Sequence, residues 1–242
     1  MKKFIGVTLL ATAVLTGCGE GEDRQLRYLE RAQDYFAEEN YDKAEIDAKN
    51  VLQINPKNLE ARLLLGDVSF AEGDIRKAYG MYQAVLAEDE SNLGANTGMV
   101  KIFAVVKSFD QALDYAEKVL QVEPENVDVL GYKAVALAGK QDVVEAKQIA
   151  EKALELDAGN AAALGVMSQY YVNDGDYKKA IDLLIAGEKV NGDDDRLTMM
   201  KVAVFEAMGN SEEVEVELVK LANKYPESEA YYNAVAQYYL RD

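Results

Sequence analysis

The sequence predicts an all-α protein built as a stack of helix–turn–helix repeats. Apolar residues recur within each repeat at steps near three and four, which is typical of helices that bury one face. Five alanines share one phase of a 34-residue period, at Ala44, Ala78, Ala112, Ala146 and Ala180. The three prolines of the chain share another phase of it, at Pro56, Pro124 and Pro226. Because the register continues without insertion, each unit is one copy of the same hairpin, and function is expected on a surface.

Composition supports a folded chain with an acidic exterior. Apolar residues make up 49% of the sequence, enough for a continuous buried seam, and charged residues make up 29%. The formal charge is −17, which repels phosphate backbones and anionic lipid headgroups. We therefore expect no nucleic-acid partner, although the acidity is also explained by solubility alone.

The N-terminus has the pattern of a secretory signal peptide. Lys2 and Lys3 precede a mostly apolar segment from Phe4 to Thr16, which is too short to span a bilayer as a helix. Residues 1–17 are therefore predicted to be a signal peptide.

The residues that follow resemble a bacterial lipobox, in Leu15-Thr16-Gly17-Cys18. The resemblance implies that the chain is cut before Cys18 and that the cysteine sulfur carries a diacylglyceryl group, which makes residues 18–24 a lipidated tether. Several acyl chains anchor a protein durably to a membrane. Gly19 in place of aspartate favours the outer membrane, by resemblance to the sorting rule of enterobacterial lipoproteins, with the repeats facing the periplasm.

The repeat begins at Gln25. The units are 25–58, 59–92, 93–126, 127–160, 161–194 and 195–228, followed by a final helix at 229–242. Small or short residues occupy position 8 of each unit, position 20 is alanine in most units, and position 11 is a large residue in most units. A bulky side chain is thus expected to meet paired small ones where two helices cross. Glycine in the middle of three units, at Gly73, Gly175 and Gly209, predicts the corner between the two helices.

This pattern resembles the tetratricopeptide (TPR) repeat, which has Leu-Gly, then Ala, an aromatic residue and Pro at the same period. In the second unit Leu65-Gly66, Ala78 and Tyr82 match it. The resemblance implies a right-handed superhelical solenoid that binds partners in a concave groove. The chain has no tryptophan, and Ser69 and Gly187 are expected to weaken two packing positions.

By the same resemblance, positions 2, 5, 9, 12 and 13 of the first helices line the groove. The residues predicted there to bind a protein or peptide partner are Leu29, Gln33, Phe36, Leu63, Asp67, Phe70, Lys101, Gln169, Asn173 and Arg196. Lys101 and Arg196 are too few and too far apart in sequence for the carboxylate clamp of chaperone-binding TPRs. Small residues in the middle units suggest close approach of a ligand backbone. An apolar groove with acidic edges suits an amphipathic helix or an extended segment.

No catalytic chemistry is predicted. The chain has no histidine, which excludes Ser-His-Asp and Cys-His arrangements and histidine metal sites. We expect no enzyme activity, no metal and no cofactor. The aromatic final helix, with Tyr231-Tyr232 and Tyr238-Tyr239, is expected to dock on a partner or on a second copy.

Among lipidated TPR families, the first unit is most similar to the lipoproteins that accompany exosortase (PEP-CTERM) and exopolysaccharide systems, from Tyr28-Leu29-Glu30-Arg31-Ala32 to Leu65-Gly66. An envelope adaptor of that type is therefore predicted. A type IV pilus pilotin, a scaffold of outer-membrane protein assembly and a polysaccharide-binding accessory stay open as alternatives.

Overall fold

The structure is a computed structural model that describes residues 17–192 and 194–240, with side chains from residue 21 onward. The predicted signal peptide lies outside these residues except for Gly17. The described residues form thirteen α-helices and no strand, which confirms the all-α class. The helices are α1 (Gly17–Ala37), α2 (Tyr41–Ile54), α3 (Leu59–Ala71), α4 (Ile75–Leu86), α5 (Leu93–Val105), α6 (Phe109–Val122), α7 (Val127–Gly139), α8 (Val143–Leu156), α9 (Ala161–Asn173), α10 (Tyr177–Asn191), α11 (Asp195–Met208), α12 (Ser211–Lys224) and α13 (Glu229–Leu240).

The helix starts follow the 34-residue period. Helices α3, α5, α7, α9, α11 and α13 each begin at the first residue of a predicted repeat. Helix α1 begins at Gly17, so the segment assigned to the tether continues the first helix. Within the described residues, no helix combines the length and the apolar character needed to cross a membrane.

Side chains cap both helices of most repeats. Before the first helices, Asn58, Asn126 and Asn160 accept a hydrogen bond from the backbone N–H three residues later, at 2.7, 3.0 and 2.9 Å. Before the second helices, Asp74 and Asp176 do the same at 3.0 and 3.2 Å. These caps satisfy N–H groups that have no partner within the helix, and so they fix where each helix starts.

The corner between the two helices of a repeat takes the left-handed backbone conformation. Gly73, Gly175 and Gly209 have φ of 80°, 78° and 71°. The other three repeats place a residue with a side chain at the same position and keep the same conformation, with φ of 57°, 61° and 68° at Glu39, Lys107 and Gln141.

The contacts divide the chain into two compact units, one up to Gly98 and one from Met99, which we call the N-terminal and C-terminal units. In the N-terminal unit, Leu29, Val51 and Ala61 form one buried cluster. In the C-terminal unit, buried residues of α7, α8 and α9 form another, with Leu130, Ala134, Ala150, Ala153, Ala163 and Met167. The alanines of position 20 are buried in every repeat where they occur, as the repeat pattern requires.

Two positions expected to be weak are well packed. Ser69 is fully buried, and its hydroxyl donates to the Leu65 carbonyl at 2.7 Å. Gly187 faces Leu164 and Leu197 so closely that a Cβ there would collide with Leu164. The glycine is therefore required by its neighbours, and the expectation that it weakens packing is wrong.

The first helices of the repeats form one layer within the C-terminal unit. Helix α9 contacts both α7 and α11, while α8 and α10 each contact the first helix before and after them. The N-terminal unit has the same arrangement, with α1 against α3 and α2 against both. We call the side of the first helices that carries the predicted groove positions 2, 5, 9, 12 and 13 the inner face.

Candidate functional site

The inner face of the N-terminal unit is largely closed by its own side chains. Leu29 is only 6% exposed and packs on Val51 and Ala61, so its assignment to the groove is wrong. The cause is its position in the hairpin: α2 and α3 cover this side of α1 and use Leu29 as core.

The other apolar groove residues of this unit are half-buried. Phe36 packs against a cluster that includes Ala32 and Leu65, and its ring centroid is 5.7 Å from that of Tyr41. Leu63 covers Gly94, where an added Cβ would be 2.6 Å from Leu63 Cδ2. Phe70 is half-buried as well. These side chains pack on neighbouring helices, so only a part of each remains exposed to a ligand.

The two polar groove residues of this unit differ in their contacts and exposure. Asp67 accepts a hydrogen bond from the Tyr82 hydroxyl at 2.7 Å, which joins two helices of the second repeat. Gln33 is exposed. The N-terminal unit thus offers a mostly apolar edge with few unengaged polar groups.

In the C-terminal unit, the two predicted groove cations each pair with an aspartate. Lys101 Nζ lies 2.5 Å from Asp128 Oδ2. Arg196 binds Asp194 through two hydrogen bonds, Nε to Oδ1 at 3.0 Å and Nη2 to Oδ2 at 2.7 Å. This pairing raises the pKa of Arg196, chiefly through the Asp194 hydrogen bond. A charged aspartate therefore already neutralises each cation.

Tyr132 of α7 interacts electrostatically with residues of both pairs, although it lies outside the predicted groove positions. Burial raises the pKa of its hydroxyl, Asp128 raises it further, and Lys101 and Arg196 both act to lower it. One phenol thus lies in the field of two cations that are 95 residues apart in sequence. The fold brings together charges that sequence spacing places in different repeats.

A sequence signal for Tyr132 exists. It is the one aromatic residue at position 6, where the other repeats have Glu30, Leu64, Gly98, Val166 and Met200. The tyrosine also follows Gly131, which is buried.

The small residues of the inner face are already covered by neighbouring side chains. An added Cβ on Gly131 would collide with Asn160, one on Gly139 with Phe109, and one on Gly165 would lie 3.2 Å from Met200 Cε. The expectation that a ligand backbone approaches closely at these glycines is therefore wrong for Gly131 and Gly139. Their role is to admit a side chain from elsewhere in the C-terminal unit.

Further along α9, Gln169 Nε2 donates to Asn173 Oδ1 at 2.9 Å, and both residues are exposed. The inner face of this unit therefore presents the exposed amides of Gln169 and Asn173, and its two predicted groove cations are each paired with an aspartate. Such a surface can bind the amide groups of a peptide main chain and does not favour a free carboxylate. Among the described residues, no group of three acidic or cysteine side chains could hold a metal ion.

The final helix leaves large side chains exposed. Tyr232 and Tyr239 of α13 are exposed, while the Tyr231 hydroxyl donates to Asp195 Oδ2, and burial together with that carboxylate raises the pKa of Tyr231.

A tetratricopeptide repeat profile matches residues 35–95, 106–170 and 137–204, more than half of the chain. The chain belongs to the tetratricopeptide repeat family. The family consists of protein-interaction scaffolds that are generally not enzymes.

Proteins similar to this TPR chain come from bacteria and eukaryotes. PilF of Pseudomonas aeruginosa matches with a TM-score of 0.58 at 18% identity, over 90% of this chain and 99% of that chain. PilW, described as a widely conserved type IV pilus biogenesis factor, matches with a TM-score of 0.62 at 15% identity, over 88% and 97%. A DnaJ homolog subfamily C member 7 homolog of Schizosaccharomyces pombe is 27% identical over 156 residues, 57% of this chain. This chain covers only 33% of that protein. The structural likenesses show the fold.

Proposed function

We propose that this TPR protein is a lipid-anchored adaptor that binds a segment of a protein partner on the inner face of its C-terminal unit. The observation that carries the proposal is a set of polar groups on and beside the first helices of this unit: the Lys101–Asp128 and Arg196–Asp194 ion pairs, with the half-buried Tyr132 in the field of both cations. The protein acts by binding and positioning its partner.

The chemistry of this face favours an extended, polar partner segment. The Lys101–Asp128 and Arg196–Asp194 pairs leave the face without free cationic charge, and the exposed amides of Gln169 and Asn173 can exchange hydrogen bonds with a main chain. Met199 and Val172 provide apolar contact on the same face. We therefore expect an uncharged or weakly basic segment in preference to an acidic one.

Site-specific photo-crosslinking tests this assignment. Benzoylphenylalanine in place of Gln169 should capture a protein partner in cells. The matched control replaces Gln148, an exposed glutamine on the second helix α8 of the same unit. Equal capture from both positions, or capture from Gln148 alone, would contradict binding on the inner face.

The proposal includes anchoring through Cys18 at the outer membrane, with the repeats in the periplasm. The support is the resemblance of Leu15 to Cys18 to a lipobox. Radiolabelled palmitate should enter the full chain and not the Cys18→Ser variant, and that variant should leave the membrane fraction. Labelling that persists without Cys18 would refute the anchor.

The partner defines the machine in which the adaptor works. An exosortase or exopolysaccharide system is our first candidate, from the resemblance of the first repeat. A pilotin-like role in type IV pilus assembly is the second, and the likeness to PilW over nearly the whole of that chain supports it. Mass spectrometry of the Gln169 crosslink distinguishes them, because secretin subunits would favour the pilotin-like role and components of a sorting or polysaccharide system would favour the first.

A further inference from the structure

Helix α13 has one side that other helices cover and one side that is open. The covered side packs on the buried cluster of α11 and α12, through Ala234, Val235 and Tyr238. On the open side, Tyr232 is 50% exposed, Tyr239 is 53% exposed, and Ala236 is exposed as well. Because these three residues are spaced by four and three positions, they lie on one face of the helix. We call Tyr232, Ala236 and Tyr239 the open face of α13.

In the other repeats, the second helix covers the equivalent face. Position 8 is buried in each of the six preceding repeats, at Ala32, Gly66, Val100, Ala134, Ser168 and Val202. In the fourth repeat, Ala134 forms a buried cluster with Ala150 and Ala153 of the second helix α8. Ala236 is at position 8 of α13 but is exposed, and the described residues contain no second helix for this repeat. The six preceding repeats therefore show what kind of element fits on the open face, namely a helix.

The first repeat is the closest counterpart of the open face. Positions 4, 8 and 11 of α1 are Tyr28, Ala32 and Tyr35, the same three residue types that α13 has at these positions. Helix α2 lies against α1, and its residues at positions 20, 24 and 27 are fully buried, namely Ala44, Ala48 and Val51. Small residues at the first two positions allow α2 to approach the tyrosines closely. A helix on the open face is therefore expected to have the same small and aliphatic residues at these spacings.

A lysine of the second helix lies over the tyrosine at position 11 in both of the first six repeats that have a tyrosine there. Lys43 Nζ is 5.1 Å from the ring centroid of Tyr35, and Lys179 Nζ is 5.7 Å from that of Tyr171. Both lysines are at position 19, directly before the alanine of position 20. Tyr239 is the third tyrosine at position 11. A helix on the open face is therefore expected to place a cation over the Tyr239 ring.

A carboxylate lies where that cation would be. The Tyr239 hydroxyl donates to Glu215 Oε1 at 2.5 Å. Glu215 is at position 21 of the sixth repeat, and its counterpart in the first repeat, Glu45, forms an ion pair with Lys77, which is at position 19 of the second repeat. A lysine at position 19 of a helix on α13 would therefore meet Glu215 as well as the Tyr239 ring. This charge complementarity favours a basic residue at that position.

We propose that the open face of α13 docks an amphipathic helix of a partner protein, in the place that the second helix occupies in the other repeats. The partner helix has lysine or arginine followed directly by alanine or glycine, a second small residue four positions after the first, and an aliphatic residue seven positions after it. This surface is separate from the inner face and does not depend on the function proposed for it. An adaptor with both surfaces can hold two partners together.

The sequence of α2 supplies the probe. It is a fluorescein-labelled peptide of residues 40–54 with the substitution Asp47→Ala, because the arginine that binds Asp47 in α1 corresponds to Val235 in α13. The control peptide exchanges Lys43 and Glu45, and so it has the same composition and net charge. Fluorescence anisotropy with the full chain should show at least about fivefold weaker binding of the control, because a glutamate would lie against the tyrosine ring and the carboxylate beside it.

Two matched variants of the protein show where the peptide binds. A236L puts a large side chain where the close approach of two helices requires a small one, and should weaken binding at least about tenfold. Q237L adds the same leucine at the next exposed residue, outside the open face, and should bind like the unmodified protein. Both substituted residues are exposed, so circular dichroism should show unchanged folding. E215Q should reduce the difference between the two peptides, because it removes the carboxylate that distinguishes them.

Several outcomes would overturn the proposal. Equal affinity for the two peptides, equal effects of A236L and Q237L, or no binding of the first peptide below about 1 mM would each do so. A dimer of the unmodified protein in sedimentation, absent from A236L, would assign the open face to a second copy instead. K101A/R196A should leave peptide binding unchanged, and a loss of binding in that variant would assign the peptide to the inner face.

Discussion

Replacing Gln141 with glycine should stabilise the protein, although the change removes a side chain. Gln141 has φ of 68° at a corner where three other repeats have glycine. The left-handed conformation costs a residue with a Cβ about 1–2 kcal/mol. Glycine has more freedom in the unfolded chain, which offsets about 0.5–1 kcal/mol of that gain. The net expectation is a gain of about 0.5–1 kcal/mol.

Urea denaturation followed by circular dichroism at the helical band measures the change. Q141G should raise the unfolding midpoint without a change in slope, and K107G should act in the same direction because Lys107 has φ of 61°. Both side chains are exposed, so little packing is lost. The double variant should show the sum of the two gains, since the corners belong to different repeats.

The reverse substitution is the control. Gly175 has φ of 78° and nothing within 4 Å of an added Cβ, so G175A should lose about 1 kcal/mol through backbone conformation alone. Gly80 is also unobstructed but lies within helix α4, where G80A should gain about 1 kcal/mol. If Q141G lowered the midpoint while G175A left it unchanged, the argument from the left-handed corner would be refuted.

Four further outcomes are expected. G187A should destabilise by about 1–3 kcal/mol in the same assay because its Cβ would collide with buried Leu164. The loss caused by G187A should be smaller when it is measured in a protein that already carries L164A. K201M should cost up to about 3 kcal/mol because it leaves Glu188 and Glu217, whose side chains are 19% and 14% exposed, without their cation, whereas E188L/K201M/E217L should be neutral or stabilising. The pKa of Tyr132, measured by NMR with labelled tyrosine, should lie above its ordinary value of about 10, and should rise in K101M and fall in D128N. Hydrogen bonds from Lys77 and then Lys49 lower the pKa of Glu45, so its contribution to stability is present at neutral pH and is lost as the pH falls through that lowered pKa; E45Q should remove this acid dependence.

The repeat architecture is predictable from the sequence because each structural decision is local to a repeat. The cap residues Asn58 and Asn126 and the corner glycines Gly73 and Gly175 each act within a few residues of their own position. Because the same local signals recur at the same positions of several repeats, together they define the repeat boundaries. The helix starts therefore coincide with the predicted repeat starts.

The binding face is less predictable because it depends on contacts between repeats. Leu29 and Leu63 occupy the same position of successive repeats, yet Leu29 is buried as core and Leu63 is half-buried over Gly94. The space at Gly139 is filled by the side chain of Phe109, which comes from a different repeat. A family pattern treats all repeats alike and does not contain these differences.

The charged pairs inside the repeats illustrate the same point. Positions 7 and 23 are apolar partners in the fifth repeat, as Met167 and Leu183, but the sixth repeat has Lys201 and Glu217 there, 2.7 Å apart.

Glu188 of the fifth repeat lies at a position where the first four repeats have leucine. It forms a triad with Glu217 and the buried Lys201 of the sixth repeat, and both glutamates are half-buried. Among the described residues, Glu217 Oε2 is buried without a hydrogen-bond partner. Such a triad gives little net stability compared with an apolar set, but an apolar hairpin stacked in place of the sixth repeat would leave the half-buried Glu188 without a cation. The charges therefore favour stacking of the sixth repeat on the fifth. Apolar packing alone does not discriminate between hairpins that are so similar.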